Sequence, residues 1–446
     1  MYLNRTIDSA LLEWKNRKDH KPLLLRGARQ VGKSTVVRHL GEQFEYYIEA
    51  NFEKNSALKV LFTSDKSVRD IAAGIGALYD TPVEAGKTLL FLDEIQACPE
   101  ALHDLWFFKE DFPELHVIAA GSLLELALKE MPSYGVGRIS SRFMYPFSFD
   151  EFLQATGHPM WIEAKKQASA QEPLFEAMHV QLVNSYRTFL MTGGMPASVL
   201  AWVENNEFSS CQEAVAEIAG SYDDDFDKYA KKISPELLKA VLKSAVQQIG
   251  KKFVYSHVEG GYSTTDVKKA LGFLCDAGIL YRVQHTSANG LPLGAEVNPK
   301  FNKYILLDSG LLLCLLNMGN YGTNPLTASI LSDTAADLVN KGSLTEMVAG
   351  LELIKYSSPI QKPELYYWEN LSNGTTSEVD YIINCNMQVV PVEIKSGISG
   401  KMKSLRVFME KKRLHYAIRC SLENFSRLEQ DGIDILPLYA MSNIWR

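Results

Sequence analysis

Along residues 1–149, short apolar runs alternate with amphipathic stretches. Leu23-Leu24-Leu25, Tyr46-Tyr47-Ile48, Leu89 to Leu92 and Val117-Ile118-Ala119-Ala120 have the length and continuity of buried strands. Amphipathic stretches between such strands predict βα units around a parallel sheet. Residues 150–232 follow helical spacing and close in the acidic run Asp223-Asp224-Asp225-Phe226-Asp227, which reads as a solvated surface. Residues 233–316 predict a helix pair and then a hairpin. Val267, Ala270, Leu271 and Leu274 recur at helical spacing within Thr264 to Gly278, with Ser263 or Thr264 as cap. Ile279 to Val283 and Tyr304 to Leu307 predict strands on either side of the turn Ser287-Ala288-Asn289-Gly290. Residues 317–446 return to mixed strand and helix. Four domains are therefore expected, at 1–149, 150–232, 233–316 and 317–446.

Composition fits that picture. The chain has 446 residues, 46% hydrophobic and 22% charged, as folded protein requires. Its net charge of -7 excludes a uniformly basic nucleic-acid coat but not a local basic groove. The longest apolar run, Ile305 to Leu316, is short for a membrane helix and carries Asp308. The residues from Met1 to Arg5 lack the apolar core of a signal peptide, so a cytoplasmic location without membrane contact is expected. The six cysteines are far apart and form no CxxC, which predicts reduced thiols. The nine histidines form no HExxH, so no zinc site is expected.

The first chemistry is a phosphate loop. Gly27-Ala28-Arg29-Gln30-Val31-Gly32-Lys33-Ser34 fits GxxxxGK[ST], with a strand before it and a helix starting near Thr35 after it. Glycines let backbone N–H groups close around phosphates, and the helix N-terminus adds its positive field. Lys33 is placed to reach the β- and γ-phosphates of ATP, and the Ser34 hydroxyl to ligate Mg²⁺. Thr88 to Leu92 is an apolar strand ending in Asp93-Glu94. Asp93 suits the Mg²⁺ shell, and Glu94 suits orientation or deprotonation of the attacking water. A further strand ends at Gly121-Ser122, where Ser122 is suited either to the γ-phosphate and its water or to capping a helix.

The ordered set of motifs resembles a prokaryotic AAA+ ATPase family that joins an N-terminal ATPase to a C-terminal module of undefined function. The residues carrying the resemblance begin with Leu24 to Thr35, Leu90 to Gln96, Gly137-Arg138 and Tyr145-Pro146-Phe147-Ser148-Phe149 with Glu151-Phe152-Leu153. Gly193-Gly194-Met195-Pro196, Tyr304 to Leu312, Glu378-Val379-Asp380 and Val392 to Gly397 complete it. The resemblance implies ATP binding and hydrolysis by an AAA+ core followed by a helical lid. It also implies an arginine near Arg138 or Arg142 that reaches a neighbouring subunit's γ-phosphate, hence a homo-oligomer. A structural salt bridge or a solvated arginine is the plain alternative, and Arg138 is favoured over Arg142 for the trans role. Pro196 would pack on the nucleotide in this family, although a plain helix–helix turn accounts for the same residues. The helices and hairpin of 233–316 suggest a winged-helix-like segment, read as a packing module more than a DNA reader.

The C-terminal strands carry a second constellation. Val379, Tyr381 and Ile383 alternate with Glu378, Asp380 and Ile382. After the turn Asn384-Cys385-Asn386, Glu393 and Lys395 share one face of the next strand. Asp380, Glu393 and Lys395 in this order resemble the PD-(D/E)XK nuclease core, in which two acids hold a metal and the lysine polarises water. Glu346, on a helix spanning Ser343 to Ile354 whose small Ala349 and Gly350 would let that face approach the sheet closely, is the candidate fourth member. A hairpin with a surface salt bridge is the plain alternative. The expected class is thus α/β: an AAA+ parallel sheet, a helical lid, a winged-helix-like segment and a restriction-nuclease-like module. Three functions compete: an ATPase controlling its C-terminal modules, an ATP-licensed DNA nuclease, and a regulatory ATPase without nuclease chemistry. Any DNA contact should be local, near Lys268, Lys269, Lys395 and Lys401, and weakened by salt.

Overall fold

The computed structural model describes residues 1–445 apart from 64–65, 123, 131–136, 229–232, 317–340, 373–374 and 399. The opening of the expected fourth domain, 317–340, therefore lies outside the described residues. The chain divides into two compact units. Met1–Tyr145 form the first, together with Asp276–Gly278 and Ser358–Lys362. Pro146–Cys275, Ile279–Ser357 and Pro363–Arg446 form the second.

Among the described residues, the first unit holds five strands, β1 (Leu23–Arg26), β2 (Tyr46–Asn51), β3 (Thr88–Asp93), β4 (His116–Ala120) and β5 (Ser140–Phe143). They form one sheet in the order β2-β3-β4-β1-β5, and every pair is parallel. β3 and β4 are buried at every position, as unbroken apolar runs demand of central parallel strands. Helix Val68–Leu78 buries Val68, Ile71, Ala72 and Ile75, an i, i+3, i+4, i+7 stripe on the core. β2 runs past the predicted Ile48 to Asn51, so its tip stands opposite Asp93 in register.

The second unit opens with helices. Helix Phe149–Ala155 starts with a capping box between Ser148 and Glu151. Helices Pro159–Gln167, Glu176–Thr192, Pro196–Asn205 and Phe208–Lys228 follow. The acidic run lies on the last of these. Asp223, Asp224 and Asp227 are exposed, whereas Asp225 is buried beside buried Phe226 and Tyr222. A solvated reading thus fails at Asp225, because helical spacing turns it inward.

Helices Pro235–Gln247 and Thr264–Asp276 precede β6 (Leu280–Thr286) and β7 (Val297–Leu306). The remaining strands among the described residues are β8 (Leu365–Ser372), β9 (Thr375–Cys385), β10 (Gln388–Ile394), β11 (Ala417–Ser421), β12 (Ser426–Leu428) and β13 (Ile433–Pro437). All eight join one mixed sheet in the order β12-β13-β11-β10-β9-β8-β6-β7. The boundary expected between 316 and 317 therefore does not separate two strand systems. β6 pairs in parallel with β8, Val283 opposite Leu365, so the hairpin continues the C-terminal sheet. Pairing of this kind satisfies an edge that an isolated wing would leave open. Helix Lys403–Lys412 buries Leu405, Phe408 and Met409 in a cluster with Val379 and Ile382. Among the described residues, no helix is long and apolar enough to cross a membrane.

Candidate functional site

The phosphate loop lies between β1 and helix Lys33–Gly41. Gly27, Gln30 and Gly32 all adopt positive φ, the backbone conformations that a tight turn between strand and helix needs. The Lys33 Nζ donates to the Gly27 and Ala28 carbonyls at 2.9 and 2.7 Å. Burial brings this ammonium down to about 8, against the opposing pull of Glu94 and Asp93. Ser34 Oγ stands 3.4 Å from each carboxylate oxygen of Asp93. Thr35 continues the helix, and Arg29, Val31 and Ala28 complete the loop.

Arg5 braces this loop, donating to the Val31 carbonyl at 3.1 Å and to the Tyr145 carbonyl at 2.7 Å. Asn51 donates to Asp93 Oδ2 at 3.1 Å. Burial raises Asp93 from its ordinary value, with Glu94 adding to the rise and Asn51 opposing it. Glu94 sits at φ 50°, just past β3. Its Oε2 accepts from Gln96 Nε2 at 2.6 Å, from Ser122 N–H at 3.2 Å and from Ser122 Oγ at 3.3 Å. Ser122 thus grips the acid at the tip of the neighbouring strand. Two carboxylates, one hydroxyl and one ammonium converge on the mouth of the loop, as Mg²⁺-dependent phosphoryl chemistry requires.

The second constellation belongs to the second unit. Carboxylate oxygens of Glu346, Glu378 and Asp380 lie within 4.8 Å of one another. Glu346 comes from helix Lys341–Lys355, and the two others from β9. That helix approaches β9 closely: the Tyr381 hydroxyl donates to the Glu346 carbonyl at 2.8 Å, and a Cβ on Gly350 would meet Tyr381 Oη at 2.3 Å. Asp380 Oδ2 accepts from Ile394 N–H at 2.7 Å, which ties β9 to the end of β10. Lys395 Nζ lies 2.5 Å from Glu393 Oε1, while Glu393 Oε2 is buried without a hydrogen-bond partner among the described residues. Lys303 of β7 enters the same cluster, 2.9 Å from Glu346 and 2.5 Å from Glu378.

Burial is the first cause of raised carboxyl groups here, taking Glu346 to about 8 and Glu393 to about 7. Glu378 and Asp380 are raised for the same reason, with Lys303 opposing. Burial works against the Lys303 charge, but Glu346, Glu378 and Asp380 outweigh it and hold this ammonium above its usual value.

Comparison with known proteins bears on the first unit. Residues 19–153 match a family model described as "AAA domain". The matched span carries an AAA domain, most of it in the first unit. Residues 183–321 and 341–441 match two models described as domains of unknown function, DUF8612 and DUF4143. A Walker-type ATPase of Pyrococcus abyssi shares 15% identity, with 71% of this chain and 96% of that chain covered and a TM-score of 0.44. The Aeropyrum pernix Orc1 protein in complex with DNA shares 12% identity, with 70% and 89% covered and a TM-score of 0.27. No curated protein matched the chain.

Within the AAA domain, Arg138 is exposed and held locally, 2.7 Å from Glu110 and stacked on Trp106 with 4.8 Å to the ring centroid. Arg142 is buried on β5 and donates to the Ser141 carbonyl. Pro196 lies outside the AAA domain, as the first residue of helix Pro196–Asn205. Its turn has a local explanation: Gly194 N–H donates to buried Asp308 at 2.6 Å, and Phe147 N–H donates to the Gly194 carbonyl at 2.6 Å. Sequence reasoning missed Arg5, Asn51, Gln96 and Lys303. Only Asn51 left a signal, as the polar end of an apolar strand, where βα-sheet ligands gather.

Proposed function

We propose that the chain binds ATP with Mg²⁺ in its AAA domain and hydrolyses it through Lys33, Ser34, Asp93 and Glu94. The grip of Gln96 and Ser122 on Glu94, beside the Ser34–Asp93 pair, carries this reading. A hydroxyl facing a buried carboxylate fits a hard divalent cation. Mg²⁺, when bound, neutralises charge on the phosphates. N–H groups of residues 27–35 cradle the phosphates, and Lys33 exchanges its two carbonyl partners for phosphate oxygens. Glu94, held from one side, orients and deprotonates the water. Arg138 is the proposed trans-acting arginine of a homo-oligomer, and it must leave Glu110 to act. The test is steady-state turnover with a nucleotide-binding measurement. Lys33→Ala should lose binding, and Glu94→Gln should bind ATP without turning it over. Undiminished turnover in either variant would contradict the proposal.

A second reading, an ATP-licensed nuclease, is favoured by the acid cluster and by the unpartnered Glu393 Oε2. Glu346, Glu378, Asp380 and Glu393 would hold a divalent cation, and Lys395 would polarise water on it. Incubation with Mn²⁺ and mixed DNA substrates tests this. Identical behaviour of the wild type and Lys395→Ala would leave a regulatory ATPase without nuclease chemistry.

A further inference from the structure

Lys303 is absent from the nuclease-like pattern, yet it stands at the centre of the acid cluster. Its side chain is 2% exposed and pairs with Glu346 at 2.9 Å and Glu378 at 2.5 Å. It arrives from β7, at the edge of the sheet, whereas its partners come from β9 and from helix Lys341–Lys355. The charge of Lys395 acts on Asp380 and that of Asp380 on Glu393, so four carboxylates (Glu346, Glu378, Asp380 and Glu393) share this region with two ammonium groups (Lys303 and Lys395). When all are ionised, two negative charges stay uncompensated in a buried place, which is costly. Glu393 gives a second, independent sign: it is 5% exposed, and its Oε2 has no hydrogen-bond partner among the described residues. One divalent cation would balance the deficit and give that oxygen a partner.

We propose that Lys303 is a built-in cation that competes with a divalent metal ion for the Glu346, Glu378 and Asp380 carboxylates. The proposal rests on the metal-binding reading of this cluster. The ammonium keeps the acids together without metal and repels a dication arriving at the same oxygens. A divalent ion that binds must therefore draw Glu346 or Glu378 away from Lys303. Metal occupancy is thereby coupled to the hold that the C-terminal acids keep on β7.

Mn²⁺ titration of the full chain without nucleotide tests this, read by calorimetry and by the shift in unfolding temperature. Asp380→Asn should abolish cluster binding, which tests the underlying reading alone. Lys303→Met should bind Mn²⁺ ~10-fold more tightly than the wild type, because a unit charge a few ångströms away is removed. It should also be less stable without metal and gain more from Mn²⁺. Lys303→Gln, whose amide still donates to either acid, should tighten binding likewise. Unchanged or weaker binding in both variants, with Asp380-dependent binding retained in the wild type, overturns the competitor role. Loss of folding in both variants even at saturating Mn²⁺ also overturns it, since the dication would then not replace the ammonium. Absence of Asp380-sensitive binding in wild type and Lys303 variants alike overturns the metal site itself.

Discussion

Ser122 donates both its backbone N–H and its hydroxyl to one carboxylate oxygen of Glu94, at 3.2 and 3.3 Å. Gln96 donates to the same oxygen at 2.6 Å. The acid is therefore oriented by the strand next to its own. Ser122→Ala removes the hydroxyl and leaves the N–H in place. One charge-assisted hydrogen bond is lost, so kcat for ATP should fall ~10-fold while KM changes little. Steady-state kinetics checks it; a change confined to KM would show Ser122 acting on the bound nucleotide instead.

The turn at Gly193-Gly194 answers to packing. Gly193 adopts φ 71°, and a Cβ on Gly194 would meet the Phe147 carbonyl oxygen at 2.3 Å. Backbone atoms cannot yield as a side-chain end can. Gly194→Ala should therefore lower unfolding free energy by about 1–3 kcal/mol, as overpacking does. Chemical denaturation of the full chain measures this.

Contiguous motifs were legible because their chemistry is local. Residues 27–35 hold the whole loop within one strand, turn and helix, and the Asp93-Glu94 pair ends an unmistakable apolar strand. The parallel strands of the first unit were legible because burial on both faces leaves apolar runs. Partners supplied across the fold were not. Asn51 meets Asp93 through strand register, and Lys303 reaches Glu378 from a strand that no motif links to it. The merging of β6 with β8 also left no trace, since parallel pairing of distant strands has no sequence periodicity. Glu346 fell between these cases: its helix was legible, and the small Gly350 pointed to the close approach that Tyr381 makes.

Lys165 is a fully buried cation. Its Nζ lies 2.5 Å from Asp150 Oδ1 and 2.5 Å from Ser442 Oγ. Burial pulls the ammonium below its usual value, and Asp150 opposes that pull. Lys165→Met would leave the Asp150 carboxylate uncompensated, so unfolding free energy should drop by about 3–5 kcal/mol. Adding Asp150→Asn should recover part of the loss, because the stranded charge is then gone. Denaturant titrations of the single and double variants check both; additive losses would show that the two residues act separately.

His116 should make the AAA domain sensitive to mild acid. Its ring stacks on His20 at 3.8 Å, and Trp14 and Phe44 meet it edge-on. Nε2 lies 2.9 Å from the Lys15 carbonyl, so it is the donor nitrogen. Nδ1 is buried without a partner among the described residues, and protonating it would create an N–H with no acceptor there. Burial accordingly lowers this imidazole from 6.5 to about 4. The folded value lies below the unfolded one, so the unfolded chain takes up a proton that the folded chain refuses. Stability from His116 is full above pH 6.5 and is lost as pH falls from 6.5 towards 4. His116→Phe keeps a flat ring without the proton site. Its unfolding temperature should decline less than that of the wild type across this window, while the two curves run parallel above about pH 7. Equal declines would place the acid sensitivity on other groups.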